Sequence, residues 1–236
     1  MDPLAPLRAA PVATALLFDV DGTLAPIAPL PELARVPEET KADLARLAGS
    51  YLLVACISGR SGEDAARLVG VDGVRYVGNH GLELHERVSE LGAAMAAFRD
   101  QIGLPVEDKG LSLSYHYRTA EDQGAARAEL EEVAARARAA GLDPRWGRKV
   151  LEVRPAAEAD KGTAVVALLE ESGARRAMYA GDDTTDLDAF AGLSRAGLEN
   201  AVRVAVESDE SPADLALAAD VVVPGTSGLA QLLATL

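Results

Sequence analysis

Leu16-Leu17-Phe18-Asp19-Val20-Asp21-Gly22-Thr23-Leu24, residues 16–24, is the stretch that decides how this chain folds. Its apolar half reads as a strand buried on both faces, since a half-exposed strand would alternate polar with apolar residues. The strand runs out into two carboxylates separated by one residue, with a glycine directly after them. In an open α/β sheet the carboxyl end of a strand is where ligands bind. Asp-Gly between apolar runs is also a hairpin signal. Here Pro26, Pro29, Pro31 and Pro37 leave a poor returning strand. An EF-hand loop is excluded by spacing, because its glycine belongs at position six after the first ligand, whereas Gly22 stands at position four counted from Asp19.

Outward from this stretch, similar short apolar runs occur at 15–20, 51–57, 177–180, 202–206 and 221–223, bounded by Gly, Asp or Pro. Segments of helical composition, 38–48, 62–68, 161–171, 186–192 and 227–236, lie between or after them. Alternation of buried strands with helices predicts a doubly wound, Rossmann-like α/β core with a parallel sheet.

The middle third breaks that rhythm. Residues 89–101 form an Ala-rich helical segment, and 111–118 alternate: Leu111, Leu113, Tyr115 and Tyr117 on one face, Ser112, Ser114, His116 and Arg118 on the other. A long helix is predicted over 121–140, with Thr119 as cap, Gly141 as stop and Glu132–Arg136 as an i,i+4 pair. A second alternating strand follows at 150–154. Strands with one covered face predict an antiparallel sheet, so 84–155 read as an inserted module, with 1–83 and 156–236 closing into one domain.

The chain has 236 residues, 49% of them hydrophobic and 25% charged, which is globular composition and excludes a disordered chain. A net charge of −14 argues against a nucleic-acid-binding or anionic-membrane surface. The longest apolar runs, about eight residues, are too short to span a bilayer, and the N-terminus lacks an apolar leader. One cysteine, Cys56, permits no internal disulfide and fits a reducing cytoplasm. A cytoplasmic monomer is expected, with no nucleic-acid or membrane partner.

A second acidic cluster, Gly181-Asp182-Asp183-Thr184-Thr185-Asp186, stands where another buried strand ends. Alone it reads equally well as a solvated helix start. Two acidic clusters at the same end of one sheet repel unless a hard cation lies between them, and Mg²⁺ suits carboxylates, waters and phosphate oxygens. His80, His85 and His116 lack zinc-ligand spacing. Ser58-Gly59-Arg60 follows the second core strand, and Lys161 stands at a predicted helix start. Each is commonplace alone; together they supply the donors and positive charge that a transferring phosphoryl group needs.

In their order along the chain, Asp19-x-Asp21-Gly22-Thr23, Ser58, Lys161 and Gly181-Asp182-Asp183-x-x-Asp186 resemble the haloacid-dehalogenase superfamily of phosphatases. The module at 84–155 sits where type C2 caps occur, which implies an inserted, smaller α/β cap domain. Within the superfamily, DGTLAPI (21–27), SGR (58–60), NHGLE (79–83), EDKGLSLSYHYR (107–118), LEVRP (151–155), DKG (160–162) and GDDTTDLDAF (181–190) resemble the free-standing trehalose-6-phosphate phosphatase family. Leu187 departs from it, standing where that family often has an acid.

The resemblance implies Mg²⁺-dependent hydrolysis of the sugar phosphate trehalose 6-phosphate to trehalose and phosphate. In that reading Asp19 is the nucleophile that becomes an aspartyl phosphate, and Asp21 is the general acid and base. Ser58 and Lys161 bind phosphoryl oxygens. Asp19, the Asp21 carbonyl and Asp182 hold the metal, with Asp183 and Asp186 behind them. Glu107, Lys109, Arg118 and Glu152 contact the glucosyl portion, and Arg60, His80 and Glu83 line the core side. The alternatives are a C2-capped phosphatase for another sugar phosphate, a phosphomannomutase-like phosphotransferase and a non-catalytic binding protein. A plain solvated sheet face remains open for the polar residues of the module.

Overall fold

The computed structural model describes residues 2–147, 149–209 and 211–236. They divide into two compact units, Met1–Leu84 with Ala159–Leu236, and His85–Glu158. In chain order the first unit begins with α1 (Ala5–Arg8), β1 (Thr14–Phe18), α2 (Glu38–Ala48), β2 (Leu53–Ile57), α3 (Gly62–Val69) and β3 (Arg75–Val77). The second unit contains α4 (Val88–Ile102), β4 (Glu107–Asp108), β5 (Leu113–His116), α5 (Gln123–Ala139), β6 (Leu142–Gly147) and β7 (Val150–Pro155). The chain then returns to the first unit with α6 (Lys161–Ser172), β8 (Arg176–Gly181), α7 (Thr185–Arg195), β9 (Asn200–Glu207), α8 (Ala213–Ala218), β10 (Val221–Pro224) and α9 (Gly225–Leu233).

The first unit is built on a six-stranded sheet in the order β10-β9-β8-β1-β2-β3. Every pairing is parallel, in keeping with the apolar runs at the centres of β1, β2, β8, β9 and β10. Leu16 and Phe18 of β1 point into one core with Leu44 and Leu47 of α2 and Leu229 and Leu233 of α9. Ala15 and Leu17 point into the other with Val165 and Leu168 of α6 and Phe190 and Leu193 of α7. All five β1 residues are consequently buried. The chain runs outward from β1 to β2 and β3 on one side, and from β8 to β9 and β10 on the other. Its direction therefore reverses between β1 and β8, the place where open α/β sheets form a crevice. The Asp-Gly signal makes no hairpin. Gly22 adopts φ +87° and the chain closes a tight turn, the Gly22 N–H donating to the Ala25 carbonyl at 2.7 Å.

The second unit carries a four-stranded antiparallel sheet in the order β4-β5-β7-β6. Leu113, Tyr115, Leu151 and Val153 pack against Met95 and Phe98 of α4 and Leu130 and Val133 of α5, as their alternation predicts. Two local expectations, the Thr119 cap and the Glu132–Arg136 pair, are corrected, and one open reading is narrowed. Asp122, not Thr119, caps α5, its carboxylate accepting from the N–H groups of Gly124 and Ala125 at 2.9 Å. Arg136 donates to the Gln101 carbonyl at 2.9 Å. Ser112 and Ser114 are buried, so their face is not plainly solvated. Among the described residues no helix is long and apolar enough to cross a membrane.

Candidate active site

The carboxyl ends of β1 and β8 deliver the two acidic clusters side by side. Phe18 pairs with Ala180, and the Asp19 N–H extends the ladder to the Ala180 carbonyl at 2.9 Å. Asp19 therefore sits on the last rung and Asp182 just beyond the end of the neighbouring strand. Lys161 reaches them from α6, whose start is fixed by a capping box. The Asp160 carboxylate accepts from the Thr163 N–H, and the Thr163 hydroxyl accepts from the Asp160 N–H.

Lys161 is 2% exposed and its Nζ lies 2.7 Å from Asp19 Oδ1 and 2.7 Å from Asp186 Oδ1. Burial alone would lower its pKa, but the charges of Asp186 and Asp19 outweigh burial and raise it, so Lys161 stays cationic. Asp186, fully buried, is saturated. Oδ1 also accepts from the Tyr179 hydroxyl at 2.7 Å, and Oδ2 accepts from the N–H groups of Asp182 and Asp183 at 2.9 Å. The residue thus fastens Lys161, β8 and the 182–183 turn together.

Asp19, Asp182 and Asp186 bring one carboxylate oxygen each to within 4.8 Å of one another, all three residues buried. Lys161 balances one of their three charges. Desolvation pushes the Asp19 carboxyl well above its ordinary value, although Lys161 opposes it. Burial, reinforced by Asp186, pushes Asp182 up to about 6. A buried surplus of two negative charges on oxygen donors is what a hard divalent cation neutralises, and Asp19 and Asp182 are the carboxylates that fit one, with Asp186 committed to its four donors.

Two further side chains hold this arrangement. The Thr23 hydroxyl, fully buried, donates to Asp182 Oδ1 at 3.0 Å and leaves Oδ2 to other partners. Gly22 lies so close to the same carboxylate that a Cβ there would strike it. Tyr179 anchors Asp186 from inside β8, its hydroxyl pKa raised chiefly by burial. In the sequence Thr23 reads only as the last residue of the Asp19-x-Asp21-Gly22-Thr23 string, with no role of its own, and Tyr179 looks like any core aromatic of a buried strand.

Asp21 is partly exposed and is gripped by Arg60 through a fork, Nε to Oδ2 at 2.7 Å and Nη2 to Oδ1 at 2.6 Å. The same guanidinium donates to the Pro31 carbonyl at 3.1 Å. Ser58, buried, accepts the Arg60 N–H on its hydroxyl at 3.2 Å. The His80 ring lies against Gly59. Two expectations change here. Asp183 is exposed and its carboxylate accepts from the Thr184 N–H at 2.6 Å, while its backbone N–H donates to Asp186 Oδ2. Both oxygens of Glu83 are engaged by Gly62, Gly78 and Asn79. Leu187 packs on the apolar cluster beneath α7.

In the second unit, cross-strand register places Glu107, Ser114, Glu152 and Arg145 in one row. Glu107 Oε2 lies 2.7 Å from His116 Nε2 and 3.9 Å from Lys109 Nζ. Arg118 stands exposed beyond the end of β5.

The family model named Trehalose-phosphatase matches residues 17–100 and 96–221. The trehalose-phosphate phosphatase of Mycolicibacterium paratuberculosis is 39% identical over 202 residues, 75% of this chain and 50% of that protein. That of Mycobacterium marinum is 35% identical over 227 residues, 85% of this chain and 57% of that protein. The chain thus spans about half the length of these curated relatives. Among solved structures, a trehalose-6-phosphate phosphatase related protein aligns with TM-score 0.70 at 23% identity, covering 94% of this chain and 96% of that one. The C-terminal domain of C. albicans trehalose-6-phosphate phosphatase aligns with TM-score 0.68 at 20% identity, covering 98% and 94%. A subclass IIB sugar phosphatase of the haloacid-dehalogenase superfamily aligns at 0.54 and 18% identity, covering 94% and 98%. The fold is that of the haloacid dehalogenases, and because the family model spans both acidic clusters and most of the chain between and around them, the chain belongs to the trehalose-phosphatase family.

Proposed function

We propose that the chain is a phosphatase that hydrolyses trehalose 6-phosphate to trehalose and phosphate with Mg²⁺ as its metal. The observation that carries this reading is the Asp19 carboxylate at the end of β1, paired at 2.7 Å with a buried cationic lysine. Asp19, Asp182 and the Asp21 carbonyl would hold the ion, which when bound supplies positive charge to the phosphoryl oxygens and the surrounding carboxylates. One Asp19 oxygen attacks phosphorus in line, the bond to the sugar oxygen breaks, and Asp21 gives that oxygen a proton. Asp21 then takes a proton from water as the water oxygen attacks the aspartyl phosphate, and phosphate leaves with Asp19 regenerated. Lys161 and Ser58 hold the phosphoryl oxygens, and Arg60 fixes where the Asp21 oxygens lie.

The second unit acts as the cap in this reading, with Glu107, Lys109, Arg118 and Glu152 recognising the glucosyl portion and His80 assisting from the first unit. The enzyme works as a monomer in the cytoplasm, a compartment in keeping with the single reduced cysteine. Phosphate release is measured from trehalose 6-phosphate, sucrose 6-phosphate, glucose 6-phosphate and mannose 6-phosphate, each with Mg²⁺ and with chelator. A lead of about a hundredfold for trehalose 6-phosphate, about 2.7 kcal/mol of discrimination, abolished by chelator and by Asp19→Asn, is expected. Equal rates on the monosaccharide esters would refute the substrate, and no metal-dependent release from any ester would refute the reaction.

A further inference from the structure

Beside Ser58, two loops of the first unit are laced together, and one carboxylate ties the seam. Glu83 Oε1 accepts from the Gly62 N–H at 2.8 Å and from Asn79 Nδ2 at 3.2 Å, while Oε2 accepts from the Gly78 N–H at 2.8 Å. Gly62 opens α3, directly after the Ser58–Ser61 turn, and Gly78 directly follows β3. Across the same seam the Asn79 N–H donates to the Arg60 carbonyl at 2.7 Å and the His80 N–H to the Ser58 carbonyl at 2.9 Å. The two donor residues adopt φ 52° and 53°, a left-handed backbone that residues with a Cβ avoid unless their surroundings impose it. Glu83 braces the segment that carries it, one oxygen accepting from the Asn79 side chain. It fastens both flanks of the turn, and its charge is favoured at the N-terminus of α3.

We propose that Glu83 is a positioning residue: it holds the Ser58–Arg60 turn in register, so that the Ser58 hydroxyl is aimed before substrate arrives. This replaces the expectation that Glu83 is a sugar ligand, since its oxygens are already committed to amides. The inference rests on the phosphatase reading and deepens it. A sugar ligand matters only to a substrate that carries the sugar. A residue acting through Ser58 matters to every phosphate ester, and it ceases to matter once Ser58 is gone.

The test is Glu83→Gln, whose amide would turn an N–H toward an N–H on one side of the seam. With the full chain and Mg²⁺, kcat/KM is expected to fall by about ten- to a hundredfold, and by the same factor for trehalose 6-phosphate and for p-nitrophenyl phosphate. In a Ser58→Ala background the same change is expected to add less than about twofold. Amide exchange at Gly62 and Gly78 is expected to quicken by about tenfold or more. A loss confined to trehalose 6-phosphate would overturn the proposal in favour of a sugar ligand, and a loss that multiplies with Ser58→Ala would overturn it in favour of general destabilisation. If the unsubstituted chain hydrolyses neither ester, the phosphatase reading fails, and unchanged exchange at Gly62 and Gly78 would then overturn the seam itself. Should Glu83→Gln not fold, Glu83→Gln with Asn79→Gly, which relieves the left-handed backbone at 79, carries the same measurements.

Discussion

Raising the pH of the chelator-treated protein from about 4.5 to about 7 is expected to destabilise it, against the usual behaviour of a protein leaving the acid range. The cause is Asp182, whose carboxyl burial and the neighbouring Asp186 push from 3.8 up to about 6. A group with a raised folded pKa gives its full stability below the unfolded value and loses it as pH rises through the folded one. The window is therefore about pH 4 to 6, and the rise corresponds to about 3 kcal/mol between the two protonation states. For a chain of this size that is about 6–12 °C in melting temperature. Asp19, also raised by burial, acts in the same direction. Asp220, held low chiefly by Arg203, acts the opposite way but only as pH falls below the ordinary carboxylate range. A divalent ion held by Asp19 and Asp182 should restore the loss at pH 7, with about 2.7 kcal/mol recovered at a hundredfold excess over its Kd, and should do little at pH 4.5, where protons compete for the oxygens. Circular-dichroism melts across this range, with chelator and with Mg²⁺, read both effects. Asp182→Asn should flatten the slope and blunt the response to Mg²⁺. A melting temperature that climbs from pH 4.5 to 7 in chelator, or an unchanged slope in Asp182→Asn, would refute the charge-surplus argument.

Three further substitutions probe the framework. Asp186→Asn leaves a donor facing either Lys161 and Tyr179 or the two backbone N–H groups, and should cost about 3 kcal/mol in urea unfolding, the lower end for a broken buried pair because Lys161 keeps Asp19. Thr23→Val removes the hydroxyl from Asp182 without changing volume and should weaken Mg²⁺ by about tenfold, measured as the metal concentration for half-maximal phosphate release. Gly192→Ala sets a methyl group against the Gly162 backbone where α6 crosses α7. It should cost about 1–3 kcal/mol of stability and depress kcat more than KM, since the starts of these helices carry Lys161 and Asp186; an unaltered kcat would refute that coupling.

Much of the core was legible because its signals are local. Buried parallel strands are written as apolar runs, so β1, β2, β8, β9 and β10 stand out, and α2 and α6 begin where composition predicts, at Glu38 and Lys161. Elements with weak local signals were not legible. β3 is the three residues Arg75–Val77, and β4 is Glu107–Asp108. β6 contains Pro144 and Arg145, tolerated because it is an edge strand, a fact that belongs to the sheet and not to the segment.

At the site the division is similar. Sequence alone determined that carboxylates stand at the ends of two buried strands and that a lysine opens a helix, because strand ends, caps and helix starts depend on neighbours within a few residues. Tertiary structure decided which of those groups are committed and to whom. Asp183 and Asp186 read as equivalent second-rank acids, yet one faces out and the other takes four donors. Arg60 read as a substrate residue, and the structure forks it onto Asp21, 39 positions away. Thr23 carried no signal of its own until its partner appeared 159 positions later in Asp182. A buried charge must find its compensating donors wherever the fold brings them, and that search runs across strands and helices rather than along the chain.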